Sequence, residues 1–163
     1  MKKNNLIYSA MILLATFVMA TAVSCKKDDD SPASKTDLIT GKNLVVTAMT
    51  VNPGIEYGGI EYTDFFAIMP ACSKDDVTVF NTDGTATFDE GATKCDAGDP
   101  QTTSGTWQFQ DNETKLQVVS DGDTEIFNIV ELTSSKLKIS YEIVEDFGNG
   151  DETYTYTITF IAN

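Results

Sequence analysis

The chain has 163 residues, a formal net charge of −14 and no histidine. The length suits one ordinary domain with its own core, and the acidic excess argues against nucleic acid as a partner, because phosphate binding needs a basic surface. The lack of histidine removes Ser-His-Asp catalysis, Cys-His catalysis and imidazole metal ligands, so we expect a protein that is not an enzyme and that holds no metal or cofactor.

The amino terminus has the order of parts that marks a secretory signal peptide. Two lysines precede an uncharged, largely apolar run from Leu6 to Ser24, and small residues end this run beside Cys25. A transmembrane anchor is the alternative interpretation, since an uncharged run of this length could just cross a bilayer. Small residues next to a cysteine suit a peptidase pocket better than lipid, so we predict a signal peptide over residues 1–24.

Cys25 completes the sequence Ala22-Val23-Ser24-Cys25, which resembles the lipobox of bacterial lipoproteins. The resemblance implies that Cys25 is acylated and becomes the first residue of the mature chain, with fatty chains that bind the membrane. The next residues, KKDDD, are similar to the lysine-and-acid tags that send some lipoproteins to the outer face of the outer membrane. We therefore expect an outer-membrane lipoprotein that is exposed at the cell surface, with a periplasmic orientation as the alternative.

Residues 25–37 contain no large apolar side chain, so we interpret them as a flexible tether. The folded domain is then predicted to span residues 38–163. Within it, β-branched and aromatic residues recur in short runs between turn signals, with no helical period of useful length. The sequence therefore predicts an all-β domain with eight strands, at residues 43–51, 76–82, 85–90, 104–110, 115–120, 123–132, 136–145 and 152–162.

Most of the predicted connections are short, so consecutive strands must be antiparallel neighbours. Residues 52–73 are the exception, because they are too many for a turn and too apolar for a solvated loop. Within them, residues 64–69 could form a short helix that Pro70 ends. A meander of eight strands with one apolar face hides its edges by closing into an up-and-down barrel. A β-sandwich is the alternative closure.

Cys72 and Cys95 would lie in an oxidising compartment after export, where we expect them to form a structural disulfide. The dipeptide Asp83-Gly84 is a strong signal for a two-residue hairpin turn. With that turn, Val79 faces Phe88, and the same register extended outward places Cys72 opposite Cys95. Opposed residues of an antiparallel pair are close enough for a disulfide, although a bulge would shift the register by one residue.

Four sequence blocks follow one another along the predicted domain: LITGKNLVVTAMTVNPG, MPACSKDD, FNTDGTATFDEGATKCD and GTWQF. Their order resembles the lipocalin-like domains of bacterial surface lipoproteins, over nearly all of residues 38–163. One departure is that Gly41-Lys42 is followed by Asn43, where lipocalin-type barrels commonly have a tryptophan that closes the barrel floor. The resemblance implies an eight-stranded barrel that can bind a small ligand.

The inward face of this barrel offers several aromatic side chains that could line a ligand site. They are Phe88, Trp107, Phe109, Tyr141 and Tyr156. Trp107 is the strongest candidate, because its indole can cover a ligand and also donate a hydrogen bond. The alternative for each ring is that it only completes the core. We expect a monomer that captures a small, mostly apolar molecule.

Other functions stay open at this point. A filled barrel could instead present its loops to a glycan or another envelope protein. A carboxylate glycosidase would need two acids across a cleft, and the visible pairs are Asp75-Asp76 and Asp89-Glu90. Calcium could bind at Asp121-Gly122-Asp123 or in the sequence DFGNGDE, although both sequences are typical of hairpin turns.

Overall fold

Nine antiparallel strands lie within residues 32–148 and 150–163, which are the residues that this computed structural model describes. The predicted signal peptide, Cys25 and the first part of the predicted tether lie outside the described residues. The elements are α1 (Lys35–Ile39), β1 (Leu44–Tyr57), β2 (Ile60–Asp64), α2 (Phe65–Ile68), a 3-10 turn (Ala71–Ser73), β3 (Val77–Phe80), β4 (Thr85–Asp89), β5 (Thr102–Gln110), β6 (Lys115–Ser120), β7 (Asp123–Leu132), β8 (Lys136–Glu145) and β9 (Glu152–Ala162).

The sheet closes on itself. Strands β3 to β9 follow in chain order, and β1 pairs with both β3 and β9, while β2 is an extra strand that pairs only with β1. The predicted eight-stranded up-and-down barrel is therefore confirmed, and the sandwich alternative is wrong. No helix of the described residues has the length and hydropathy needed to cross a bilayer.

The segment after the first predicted strand differs from the prediction. Strand β1 continues to Tyr57, and β2 returns along it from Ile60, so residues 52–64 form a hairpin and not a loop. Gly58 and Gly59 make this turn with positive φ angles of 63° and 79°, a conformation that glycine adopts without strain. The predicted short helix is confirmed as α2, which Asp64 caps by accepting a hydrogen bond from the Ala67 N–H.

The hairpin of β3 and β4 has a three-residue turn. Asn81 donates its N–H to the Thr85 oxygen, and Gly84, with a φ of 85°, donates its N–H to the Asn81 oxygen. As a result Thr78 pairs with Phe88. The predicted pairing of Val79 with Phe88 was therefore wrong by one residue, because a turn of this type adds one residue to the loop.

The disulfide between Cys72 and Cys95 is present, with 5.2 Å between the two Cα atoms. It does not extend the β3–β4 ladder, because Cys72 lies in the 3-10 turn and β4 ends at Asp89. The pairing of the cysteines was thus predicted correctly from a register that is wrong by one residue. The backbone between each cysteine and the nearest strand is irregular, so it compensates for the one-residue error in register.

Helix α1 closes one end of the barrel, which we call the floor. Its Ile39 is 1% exposed and belongs to the core. Lys35 donates to the Glu113 oxygen in the β5–β6 turn (2.6 Å), and the Gly41 N–H donates to the Phe80 oxygen at the end of β3 (2.9 Å). The helix begins at Lys35 with a capping box, so regular structure starts inside the predicted tether. The opposite end, with the β4–β5 connection and the β6–β7 turn, we call the mouth.

The inward faces of β8 and β9 follow the alternation of their sequences. Alternate apolar side chains of both strands pack in the two core clusters, while most of the intervening residues are polar and lie outside. The inward residues are Leu137, Ile139, Tyr141 and Ile143 of β8, and Tyr154, Tyr156, Ile158 and Phe160 of β9. The barrel lumen is therefore apolar on this side.

We expect loss of the disulfide to destabilise the domain. The bridge spans 23 residues of chain, and closure of a loop of this size contributes about 3 kcal/mol to the free energy of unfolding. A Cys72→Ser/Cys95→Ser variant should lose about that amount in urea unfolding. The unmodified protein in reducing agent should lose the same amount, and an unchanged unfolding midpoint in both would contradict the prediction.

Candidate functional site

Aromatic side chains fill one side of the lumen near the mouth. The rings of Tyr141 and Tyr156 stack with centroids 5.2 Å apart, and Phe65 of α2 packs edge-on against Tyr156 at 5.6 Å. Val51 and Ile55 of β1 belong to the same cluster. Helix α2 and the long β1 hairpin therefore close the lumen beside β8, β9 and β1.

The other side of the lumen holds a cavity of about 230 Å³, which we call the lumen cavity. Its walls are aliphatic and aromatic, and its polar lining is limited to three hydroxyl side chains and one carboxylate. The lining residues are Thr78, Phe80, Phe88, Thr103, Leu116, Val118, Ser120, Glu125, Phe127, Leu137, Ile139, Ile158 and Phe160. Ser120 and Glu125 flank the β6–β7 turn, so the polar part of this lining lies near the mouth.

Phe88 is the one predicted binding residue that lines the lumen cavity. It also lines a second cavity of about 250 Å³, together with Met69, Ser73 and Asp76, which we call the side cavity. Gly105 on the next strand leaves room for the Phe88 ring, since a Cβ atom there would lie 3.2 Å from Phe88 Cε2 and would also collide with a backbone carbonyl. Phe88 thus lines both cavities, as does Thr78, with which it pairs.

Trp107 lies at the floor, outside the lining of the lumen cavity. Its indole N–H donates to the Asn81 oxygen at 2.9 Å, and its ring packs edge-on against Phe80 at 5.4 Å and Phe109 at 5.3 Å. The hydrogen-bond donor that made Trp107 the strongest candidate is therefore already used by the protein. Trp107 closes the floor from β5, while Asn43 stands where lipocalin-type barrels commonly carry the floor tryptophan.

Tyr141 and Tyr156 lie behind the wall of the lumen cavity. Tyr141 contacts the edge of Phe127, a lining residue, with ring centroids 5.7 Å apart. Burial raises the pKa of the Tyr141 hydroxyl above its ordinary value, and the nearby Tyr156 and Glu125 raise it further. The structure thus places one of the five predicted aromatic residues in the lining, two at the floor and two in the adjoining cluster.

Most of the cavity wall was not predicted from the sequence. The two-residue turn at Asp121-Gly122 fixes the register of β6 and β7, so that Leu116 faces Phe127 and Val118 faces Glu125. The sequence contains the signal for this register, because Asp-Gly is a typical two-residue hairpin turn. The alternation itself is blurred in this hairpin, because apolar residues such as Val119 and Ile126 also occupy its outer face.

The acidic pairs before β3 and at the end of β4 mainly anchor backbone. Asp75 accepts hydrogen bonds from the N–H groups of Ala92 and Thr93, both at 2.9 Å. The Thr93 hydroxyl, the largest contribution, and these N–H groups lower the pKa of Asp75. Asp89 likewise accepts from Gly91 N–H and the Thr102 hydroxyl. These bonds hold the β4–β5 connection against the barrel.

Asp76 differs from its neighbours. One of its carboxylate oxygens is buried without a hydrogen-bond partner among the described residues. Burial raises the pKa of Asp76, and the negative charges of Glu90, Asp75 and Asp89 raise it further. The pairs Asp75-Asp76 and Asp89-Glu90 therefore lie near each other. Adjacent residues of a regular strand would instead point to opposite faces of the sheet.

The sequences considered for calcium form hairpin turns. Asp121 and Gly122 join β6 to β7 with φ angles of 53° and 90°. Asp146 accepts hydrogen bonds from the N–H groups of Gly148 at 2.7 Å and Gly150 at 2.8 Å. Across residues 32–148 and 150–163, no group of three or more His, Cys, Asp or Glu side chains is placed to hold a metal ion.

We expect Trp107 to serve stability and not ligand binding. A Trp107→Phe substitution removes the indole hydrogen bond to the Asn81 oxygen, which then keeps only the Gly84 N–H, and it leaves space between Phe80 and Phe109. The free energy of unfolding should therefore fall by about 1 to 3 kcal/mol. Binding of a neutral apolar fluorophore to the lumen cavity should stay within about twofold of the unmodified protein. A large loss of probe affinity with unchanged stability would instead place Trp107 in the binding site.

The chain was compared with known protein families, curated sequences and solved structures. The family described as a lipocalin-like domain matches residues 45–139, which is more than half of the chain. A solved complex of bovine odorant binding protein with a selenium-containing odorant is 15% identical, covering 84% of this chain and 77% of that chain with a TM-score of 0.40. No curated protein sequence matches. By the family match, the chain belongs to the lipocalin-like domain family.

Proposed function

We propose that the protein binds a small, mostly apolar molecule in the lumen of its barrel. The lumen cavity carries this proposal, because its volume of about 230 Å³ is far larger than the roughly 10 to 15 Å³ that one water needs. Lipocalins are in general binding proteins and not enzymes, and their ligands are small and hydrophobic. Membership of the family therefore supports the same function.

The chemistry of the wall favours an apolar ligand. Side chains such as Leu116, Phe127 and Ile139 offer no hydrogen bond, so a polar ligand body would lose its water without compensation. An apolar body gains about 25 cal/mol for each Å² that it removes from water. The hydroxyl groups of Thr78, Thr103 and Ser120 can orient one polar end of the ligand.

We expect a larger side chain at Val118 to block the cavity. Val118 lines the lumen cavity, while its neighbour Val119 lies on the outer face of the same strand. A Val118→Phe variant should bind the neutral fluorophore 1-N-phenylnaphthylamine about tenfold more weakly in a fluorescence titration. Val119→Phe adds the same atoms outside the barrel and should leave the affinity unchanged.

Both valine variants need a stability measurement, because an oversized side chain can lower the free energy of unfolding by roughly 1 to 3 kcal/mol without any direct effect on ligand binding. Urea unfolding must show that both are folded under the titration conditions. A saturating ligand at about a hundred times its Kd should also stabilise the unmodified protein by about 2.7 kcal/mol. A probe signal that never saturates, or equal effects of the two variants, would contradict lumen binding.

We also propose that the domain is anchored to the outer membrane by acylated Cys25 and displayed at the cell surface. The proposal is supported by the sequence around residues 22–30, which lies outside the described residues. Two or more acyl chains would make the anchoring durable, since each buried methylene contributes about 0.8 kcal/mol.

A Cys25→Ser variant should move from the membrane fraction to the soluble fraction of cells that export it. The expected physical cause is loss of the acyl chains, which mass spectrometry of the amino-terminal peptide would detect in the unmodified protein. The Cys72→Ser/Cys95→Ser variant keeps Cys25 and serves as the control that should remain in the membrane fraction. Labelling of intact cells with an antibody distinguishes surface display from a periplasmic orientation.

An interaction module is the second candidate function. Tyr57 and Ile60 at the tip of the β1–β2 hairpin are 78% and 57% exposed, and Phe147 in the β8–β9 turn is 44% exposed. Both turns project from the mouth end, since β1 and β9 are paired neighbours. These apolar groups would suit a glycan or another envelope protein, and they become the leading site if no probe enters the lumen.

A further inference from the structure

The ionisable groups that border the two cavities are all acids. Glu125 borders the lumen cavity. Asp76, Asp89 and Glu90 border the side cavity, whose lining shares Thr78 and Phe88 with that of the lumen cavity. An apolar ligand with a charged end would therefore meet negative charge in either cavity.

The lysines of the described residues lie outside both linings. They are Lys35, Lys42, Lys74, Lys94, Lys115, Lys136 and Lys138. Lys115 and Lys136 are paired with Asp111 at 2.7 Å and Glu131 at 3.2 Å, and Lys74 lies over the Phe66 ring at 4.8 Å. The whole chain contains no arginine. No basic group of the described barrel is thus placed to neutralise an anionic ligand in the lumen.

Glu125 is positioned at the rim of the lumen cavity. It is paired with Val118 across β6 and β7 and shares the inward face with Phe127. The residue is exposed, so its carboxylate can stay hydrated while it borders the apolar wall. No lysine forms an ion pair with it within residues 32–148 and 150–163. Ser120, another lining residue, lies beside the same β6–β7 turn.

We propose that the lumen selects amphiphiles with a cationic head group, such as a primary alkylammonium, and disfavours fatty acids. The alkyl chain would lie against Leu116, Phe127 and Ile139, and the ammonium would lie beside Glu125 at the rim. This proposal rests on the proposed function, because it specifies the ligand of the same cavity. A fatty-acid carboxylate in that position would meet Glu125 without a neutralising base.

Displacement of bound 1-N-phenylnaphthylamine by octylamine, octanol and octanoate tests the proposal, because the three compounds share one chain length. Octylamine should bind about tenfold more tightly than octanoate, with octanol between them. The difference should shrink at high salt, since exposed charges are screened. Equal displacement by octylamine and octanoate would overturn the proposal.

Glu125→Gln should reduce the preference for octylamine over octanoate to about twofold or less. Glu142→Gln is the matched control, because Glu142 is an exposed acid on the outer face of β8 and its loss changes the net charge equally. Equal effects of the two variants would assign the preference to net charge and overturn the role of Glu125. If the neutral probe does not bind at all, the proposed function fails as well, and that result is distinct from binding without head-group selection.

Discussion

The pairing of β1 with β9 is the contact on which the rest of the structure depends. Residues from Leu44 to Asn52 pair with β9, and the start of β1 also pairs with β3. This double pairing removes both edges of the meander, so that its apolar face becomes an interior and not an exposed sheet surface. A shift in register between Val46 and Ala48 lets the long strand bend around the barrel.

Closure of the barrel does not by itself determine whether side chains fill its interior. The floor is filled by α1, Trp107 and the rings around it, and the side beside β8 and β9 is filled by stacked tyrosines under α2. The lumen cavity remains among side chains of β3 to β9, which include smaller residues such as Val118 and Ser120 beside four phenylalanine rings. The cavity therefore lies next to the regions that α1, Trp107 and the tyrosines fill, and its own wall is partly aromatic.

The sequence was sufficient for the architecture because strand alternation and short turns constrain neighbouring strands strongly. It was insufficient where a difference of one residue changes the strand register or the partner of a side chain. The Asp83-Gly84 turn contains one more residue than predicted. Phe88 therefore pairs with Thr78 and not with Val79, yet the Cys72–Cys95 bridge still forms. The β1–β2 hairpin was missed because its tip residues, including Tyr57, are apolar yet exposed. The position of Trp107 at the floor depends on a backbone partner, Asn81, that no local pattern specifies.

In the proposed binding mode, the position of Glu125 separates affinity from selectivity. A carboxylate deep in the wall among Leu116, Leu137 and Ile139 would lose its hydration and destabilise the fold, unless a base accompanied it. At the exposed rim the same group keeps its contact with water, yet it borders the lumen cavity close to the β6–β7 turn. The deep wall can then supply binding free energy to any apolar body of suitable size, while the rim discriminates between head groups. Changes at the rim should therefore alter which ligand is preferred without altering the stability of the barrel.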